Sequence, residues 1–341
     1  MTAVHLFFPV EGERIELHTA VQRAFAETSD RAALSDAEFA ALAHEGEDVA
    51  HARTVNFCFV VQNRPANATV TVALARTADF SDAVRYTEEE ATAGVPNLLL
   101  ATQYYWRVCV CVAGEVCAVS DVARFVTSAR PPRFINAEGL GNVRDLGGWE
   151  TKDGRHVRQG LLYRGCEMEN HIVITADGVR TLHDTLGIRT EIDLRREAEG
   201  KITVSPLGED VSYELRFLDP YDTVGNTAEN LCAIFEMLTD ATRYPVYFHC
   251  WGGADRTGTL SFLLLGALGV CRDDLLLDYE LTSLSAIGLR RWNREDFLPF
   301  LAWLLPYGWG QDDVQTVCER ALGDMGVSSE TLDGLRRLLL E

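Results

Sequence analysis

The segment Val246-Tyr-Phe-His249-Cys250-Trp251-Gly252-Gly253-Ala254-Asp255-Arg256-Thr257-Gly258-Thr-Leu260 is where the chain declares its architecture. Val246, Tyr247 and Phe248 are β-branched or aromatic and read as a short buried strand. Two adjacent glycines punctuate a tight loop, and from Thr257 an apolar run of helical length follows. Strand, loop and helix in that order are the building unit of an α/β layer fold. Working outward, Thr190-Glu-Ile-Asp-Leu194 reads as a second strand, with helical patterns at 176–186, 226–238 and 257–268 between the strands. After residue 273 the pattern is helical to the end, and the Trp-rich run 291–306 reads as a helix packed on the core.

The loop has the composition of an anion site. Successive amides ahead of a helix N-terminus converge on one concavity, where the helix dipole adds positive potential. Gly252 and Gly253 let backbone approach an anion closely. The same field favours the thiolate of a cysteine at the start of the loop, which makes Cys250 the candidate nucleophile. Arg256 offers a two-pronged guanidinium to two oxygens of a phosphoryl group. Trp251, Ala254 and Gly258 complete the substrate-facing candidates. Trp251 would serve either as an aromatic wall against a phenyl phosphate or as a packed side chain. The competing reading of Cys250 is a small buried hydrophobe at a strand end. It loses to the glycines, Arg256 and Thr257 that follow at fixed spacing.

His249-Cys250, five residues, then Arg256-Thr257 is similar to the phosphate loop of cysteine-dependent protein tyrosine phosphatases. The fuller pattern His-Cys-x-x-Gly-x-Asp-Arg-Thr-Gly resembles a bacterial subgroup of that family. The resemblance continues upstream through Gly141-Asn-Val-Arg144-Asp145-Leu-Gly-Gly148, Val157-Arg-Gln-Gly-Leu-Leu-Tyr-Arg164 and Ile192-Asp193-Leu-Arg195, and spans about residues 134–285. It implies hydrolysis of phosphomonoesters, phosphotyrosine first, without metal or cofactor: Cys250 attacks phosphorus, a phosphocysteine forms, and water hydrolyses it. Arg256 and the loop amides would stabilise the equatorial oxygens, Thr257 would donate its hydroxyl to the sulfur, and His249 would orient the loop and tune the thiol.

By the same resemblance Asp255 is expected to protonate the leaving oxygen, as in the bacterial subgroup and in myotubularin-type lipid phosphatases. Asp219 and Asp222 compete for that role, because other tyrosine phosphatases carry a mobile acid loop at about this place. Arg164 is a substrate-binding candidate. Arg144 and Arg195 share that reading with one of structural ion pairing, and Asp145 and Asp193 read as fold-supporting. Relatives that take lipid or broad substrates often have lysine before the aspartate. Here Ala254 removes that cation, which turns the reading away from the alternative substrates, phosphoinositides and inositol phosphates. A phosphoryl-binding module without turnover is the alternative outside enzymes.

The first 130 residues read as strands. Segments 54–61, 68–75 and 103–112 alternate with period two and are rich in β-branched and aromatic residues. They suggest an all-β sandwich with one inserted helix at 29–44. Residues 50–128, above all Leu99-Leu-Ala-Thr-Gln-Tyr-Tyr-Trp-Arg-Val108, resemble a fibronectin type III module, which by analogy would contact a protein or glycan. Pro131 and Pro132 mark the linker, giving an expected division into 1–130 and a catalytic 131–341.

A formal charge of −20, from 51 acidic and 31 basic residues, argues against nucleic acid as a partner. Only two of those basic residues, Lys152 and Lys201, are lysines, so any anion would be held by arginine. Cys109, Cys111 and Cys117 read as thiols and not as metal ligands, and no stretch is apolar for long enough to suggest a transmembrane segment. No export signal opens the sequence, so the reading is cytoplasmic as the chain stands, or secreted if a leader has been trimmed.

Overall fold

In the computed structural model, which describes residues 1–196, 203–219 and 226–341, the strand Val246–His249 is buried at every residue. It lies between Leu162–Gly165 and Thr190–Asp193, parallel to both. Ser212–Leu215 extends the sheet beyond Thr190–Asp193 in the same sense. Arg144–Asp145 adds an antiparallel strand on the opposite side, and Arg133–Phe134 ends the sheet. Parallel strands covered on both faces need near-continuous apolar sequence, which is why Val246 to Phe248 has that composition. The helix Asp255–Leu268 leaves the carboxyl end of this central strand, where parallel sheets offer their crevice. Every residue of it from Thr257 onward is buried.

Helices Arg272–Glu280, Val314–Asp324 and Ser329–Leu339 pack around that helix. The expected helical run to the end is broken between Leu284 and Leu298. There the backbone of Arg290 is tied to Ser283, its amide donating to Ser283 Oγ at 2.8 Å and its carbonyl accepting from that hydroxyl at 2.9 Å. The aromatic stretch that follows packs inward, with the Phe297 and Phe300 rings 5.8 and 5.2 Å from Phe262.

The chain divides into two compact units, Met1–Thr19 with Ala52–Arg133, and Ala20–His51 with Phe134–Glu341. This corrects the placing of the early helical segment, which belongs to the second unit and not to the β-rich one. It contains two helices, Ala20–Glu27 and Asp36–Ala43. The second starts at Ser35 and not at Ser29, because Ser35 and Glu38 form a reciprocal capping box. Three bonds anchor the segment within its unit: Arg31 Nε to Glu280 at 2.7 Å, Arg291 Nη1 to Asp36 at 2.6 Å, and the Val49 amide to the Leu284 carbonyl at 2.7 Å.

The first unit is built on Gln103–Val112, which pairs antiparallel with Ala68–Ala75, Glu115–Val119 and Ala123–Thr127. Glu13–Ile15 and Val84–Thr87 close the edges of this six-stranded sheet, and Ala3–Phe8 with Cys58–Gln62 makes a separate two-stranded one. Alternation puts Val72, Val108, Val110 and Trp106 inside, with the Phe57 ring edge-on to Trp106 at 5.0 Å. The strands of this unit thus form a sheet of six and a separate sheet of two. The expected strand at 54–61 is shortened, because Val55 makes only an isolated bridge to Val95. Among the described residues no helix is long and apolar enough to cross a membrane.

Candidate active site

Cys250 stands at the carboxyl end of the central strand and is 4% exposed. The loop after it is pressed onto the neighbouring strand so closely that a Cβ on Gly253 would lie 2.2 Å from the Gly165 carbonyl oxygen, and Gly253 takes φ +66°. Only glycine meets both conditions. The loop carbonyls are held from behind. Asn142 Nδ2 donates to Gly252 O at 3.0 Å and to Gly253 O at 3.1 Å, and Arg164 Nη2 donates to Gly253 O at 2.7 Å. Asn142 is aligned by Arg144, whose Nη1 donates to Asn142 Oδ1 at 2.5 Å.

Behind this layer, Asp278 from helix Arg272–Glu280 takes both guanidiniums, with Arg144 Nε at 2.8 Å and Arg164 Nη1 at 2.5 Å. Burial alone would raise the Asp278 pKa, but the two arginine charges outweigh it and hold the carboxyl below its usual range. Burial and the nearby Arg144 charge bring Arg164 down to about 10, so it remains a cation at neutral pH.

Arg164 is therefore placed differently from its sequence expectation. It has no exposed surface, and its donors serve Asp278 and the rear of the loop, so it shapes the site without facing a substrate. Arg144 and Arg195 are buried in the same way. Arg195 is clasped by Asp193, Glu167 and Glu169. Asp145 accepts from the Gly147 and Gly160 amides, and Asp193 also accepts from the Tyr213 hydroxyl, both supporting the fold. Thr257 Oγ1 is buried without a hydrogen-bond partner, so the expected bond to the Cys250 sulfur is not formed. Trp251 is 47% exposed and meets His171 edge-on at 6.1 Å. Ala254 is buried ahead of the helix start, and Gly258 is buried in its first turn. Asp219 is bonded to Arg196 at 3.2 Å, and Asp222 lies outside the described residues.

His249 is fully buried beside Cys250. Its Nδ1 is 3.1 Å from the Cys250 carbonyl oxygen, and its Nε2 is 2.8 Å from Glu191 Oε1. Burial opposes protonation of the ring, but the hydrogen bond and charge of Glu191, with Asp193 adding, raise its pKa to about 9. A raised folded-state pKa contributes stability that is complete below the unfolded value of about 6.5 and is lost as pH rises through about 9. Glu191→Gln removes the raising charge. Titration of the His249 ring by NMR is expected to move to lower pH, and the alkaline loss of stability with it. An unchanged titration would show that Glu191 does not hold that proton.

Asp255 opens the helix with both oxygens engaged. Arg290 Nε lies 2.8 Å from Oδ1, Arg290 Nη2 lies 3.1 Å from Oδ2, and the Tyr279 hydroxyl is 3.2 Å from Oδ1. Tyr279 comes this close because Gly258 leaves it room: a Cβ there would sit 2.8 Å from Tyr279 Cδ2. Asn142, Glu191, Asp278, Tyr279 and Arg290 were not singled out from sequence. Glu191 carries a signal, a carboxylate in a strand that is buried at every residue. Asn142 and Arg144 lie within a motif that was recognised without their contacts being legible.

A profile of the tyrosine phosphatase family matches residues 135–298. A protein of Cupriavidus necator named "Putative tyrosine-protein phosphatase H16_A0669" is 31% identical over 188 residues, covering 48% of this chain and 67% of that protein. Among solved structures, the core catalytic domain of PP-IP phosphatase SIW14 from S. cerevisiae is 14% identical, with TM-score 0.30, over 48% of this chain and 89% of its own. TpbA from P. aeruginosa is 17% identical, with TM-score 0.28, over 54% and 88%. With a relative at 31% identity across 67% of that protein's length, and a profile match that takes in the whole strand, loop and helix around Cys250, the chain belongs to the tyrosine phosphatase family.

Proposed function

We propose that the chain hydrolyses phosphomonoesters through a cysteinyl-phosphate intermediate, with protein phosphotyrosine as the first substrate class. One observation carries the reading: the loop Cys250 to Arg256 is fixed between the central strand and a helix N-terminus, its carbonyls drawn back by Asn142 and Arg164. A loop so held presents its amides to an anion without rearranging. In the first step the Cys250 sulfur forms a bond to phosphorus as the bond from phosphorus to the ester oxygen breaks, and that oxygen leaves with the electron pair. In the second, water attacks phosphorus, the bond to sulfur breaks, and the thiolate is restored with release of phosphate. Arg256 and the loop amides carry the charge on the equatorial oxygens, and Asp255 is the loop carboxylate available for proton transfer. His249 meets the Cys250 carbonyl beside the sulfur, and the buried Thr257 hydroxyl, which has no partner in the resting site, would turn to the sulfur during the second step.

Phosphotyrosine is favoured over inositol-based substrates on two features. Ala254 adds no cation beside the loop, and Trp251 leaves half an indole exposed next to Cys250. The β-rich unit is inferred to be a fibronectin type III-like module that contacts a protein or glycan. The test is phosphate release from phosphotyrosine peptide, phosphoserine peptide, phosphoinositides and soluble inositol phosphates. Turnover highest on phosphotyrosine is the expected result. Preference for an inositol-based substrate would overturn the substrate assignment, and phosphate binding without turnover would make the chain a binding module.

A further inference from the structure

The space that a side chain at position 252 would fill is taken by another residue. A Cβ on Gly252 would lie 2.7 Å from Ile287 Cγ2, closer than two carbon atoms pack. Ile287 is half-buried: it packs on the apolar cluster that contains Val143, Cys166 and Tyr247, and the rest of it stays accessible. Its β-branch makes it stiff at the first torsion, so it holds that place.

The turn that carries Ile287 shares its support with the loop. Asn142 Nδ2, which draws back the Gly252 and Gly253 carbonyls, also donates to Thr282 Oγ1 at 3.3 Å. The Thr282 carbonyl accepts from the Ser285 hydroxyl at 2.6 Å, and Ser285 Oγ in turn accepts from the Ile287 amide at 3.4 Å. The far end of the turn is closed by the paired bonds between Ser283 and Arg290. One side chain, Asn142, therefore fixes both Gly252 and the turn that sets Ile287 against it.

We propose that Ile287 is a specificity-determining residue: it supplies the apolar wall that Gly252 cannot, and an aryl group esterified to the bound phosphate lies against it. This rests on the cysteinyl-phosphate reading above. An aryl ring gains by covering apolar surface. The hydroxyls of an inositol phosphate, laid against the same wall, would lose water without finding partners. The wall meets only the ester group. Once the phosphoryl group is on Cys250 that group has left, so Ile287 acts on the first step and not on the hydrolysis of phosphocysteine.

The experiment measures kcat/KM for a phosphotyrosine peptide and a soluble inositol phosphate, and the single-turnover decay of phosphocysteine, on wild type, Ile287→Ala, Ile287→Val, Gly252→Ala and the double variant Gly252→Ala with Ile287→Ala. Ile287→Ala is expected to lower the phosphotyrosine-to-inositol ratio of kcat/KM by about 10-fold, through loss on the aryl substrate, with Ile287→Val in between. Gly252→Ala is expected to lower kcat/KM on both substrates by about 10-fold, because its Cβ meets Ile287. Ile287→Ala in the same chain is expected to recover part of that loss. An unchanged ratio in Ile287→Ala would overturn the proposal. So would a phosphocysteine decay slowed as much as the aryl kcat/KM, since Ile287 would then only prop the loop, and so would a double variant no better than the product of the two single losses. The ratio is read whichever substrate wild type prefers, which keeps this outcome separate from that of the substrate assignment. Wild type without Cys250-dependent turnover would remove the underlying reading, and the proposal with it.

Discussion

Cys250→Ser is expected to lower phosphate release by about 10⁴–10⁶-fold, the scale on which loss of an enzyme nucleophile is measured. A serine hydroxyl fits the buried position at the end of Val246–His249, where Cys250 is 4% exposed, but it does not ionise near neutral pH and is a far weaker attacking atom. The remainder of the site is untouched. Asn142 and Arg164 still hold the loop carbonyls, so the variant is expected to bind phosphate or vanadate with an affinity close to wild type, measured by calorimetry. Loss of turnover with binding retained separates the nucleophile from the anion site. A variant keeping more than about 1% of wild-type turnover would exclude Cys250 as the attacking group, since a lost nucleophile costs far more than that.

Asp278→Ala is expected to have the largest effect on stability. Arg144 and Arg164 are 1% and 0% exposed, and both depend on this carboxylate at 2.8 and 2.5 Å. Removing one partner of a buried ion pair costs about 3–5 kcal/mol, because the remaining charge stays desolvated. Here two charges are stranded, against a total stability for a typical domain of about 5–15 kcal/mol. Denaturant unfolding at pH 7 is expected to show at least that loss. A decrease under about 1 kcal/mol would mean that the arginines find other partners. Asp278→Asn keeps the shape and probes the charge alone. The folded-state pKa of Asp278 lies below the ordinary aspartate value of 3.8, so its stabilisation is present above about pH 4 and is lost as pH falls through the lower folded value. In the asparagine variant that part of the acid sensitivity is expected to disappear.

The strand, loop and helix around Cys250 were legible because they are contiguous: apolar composition, glycines and helix start occur within fifteen residues, and local rules act at that range. What holds the loop was not legible, because its partners come from far along the chain. Glu191 reaches His249 across 58 positions, Asn142 reaches Gly252 across 110, and Asp278 reaches Arg164 across 114. No periodicity records such pairings. Arg164 shows the cost: an arginine near an anion site reads as a ligand until its burial shows which way the guanidinium points. In the first unit, alternation in Ala68–Ala75 and Gln103–Val112 gave paired strands directly. The helix Ala20–Glu27 is hard to read from sequence because its eight residues make only about two turns, too short a window for a helical period to stand out.

The second unit is discontinuous in sequence, and this matters for how the protein is made and how it can be cut. Residues 20–51 emerge from the ribosome with the β-rich unit, yet their partners Glu280, Leu284 and Arg291 are synthesised long afterwards, so this unit cannot close until translation is almost complete. A fragment that began at Pro131 would carry the whole loop from Cys250 to Arg256 and still be damaged. Glu280, fully buried, would lose Arg31, and the Arg291 guanidinium would lose Asp36 together with the Arg31 and Leu34 carbonyls it now bonds. A shortened chain meant to keep this unit whole therefore has to retain residues 20–51 together with Phe134–Glu341.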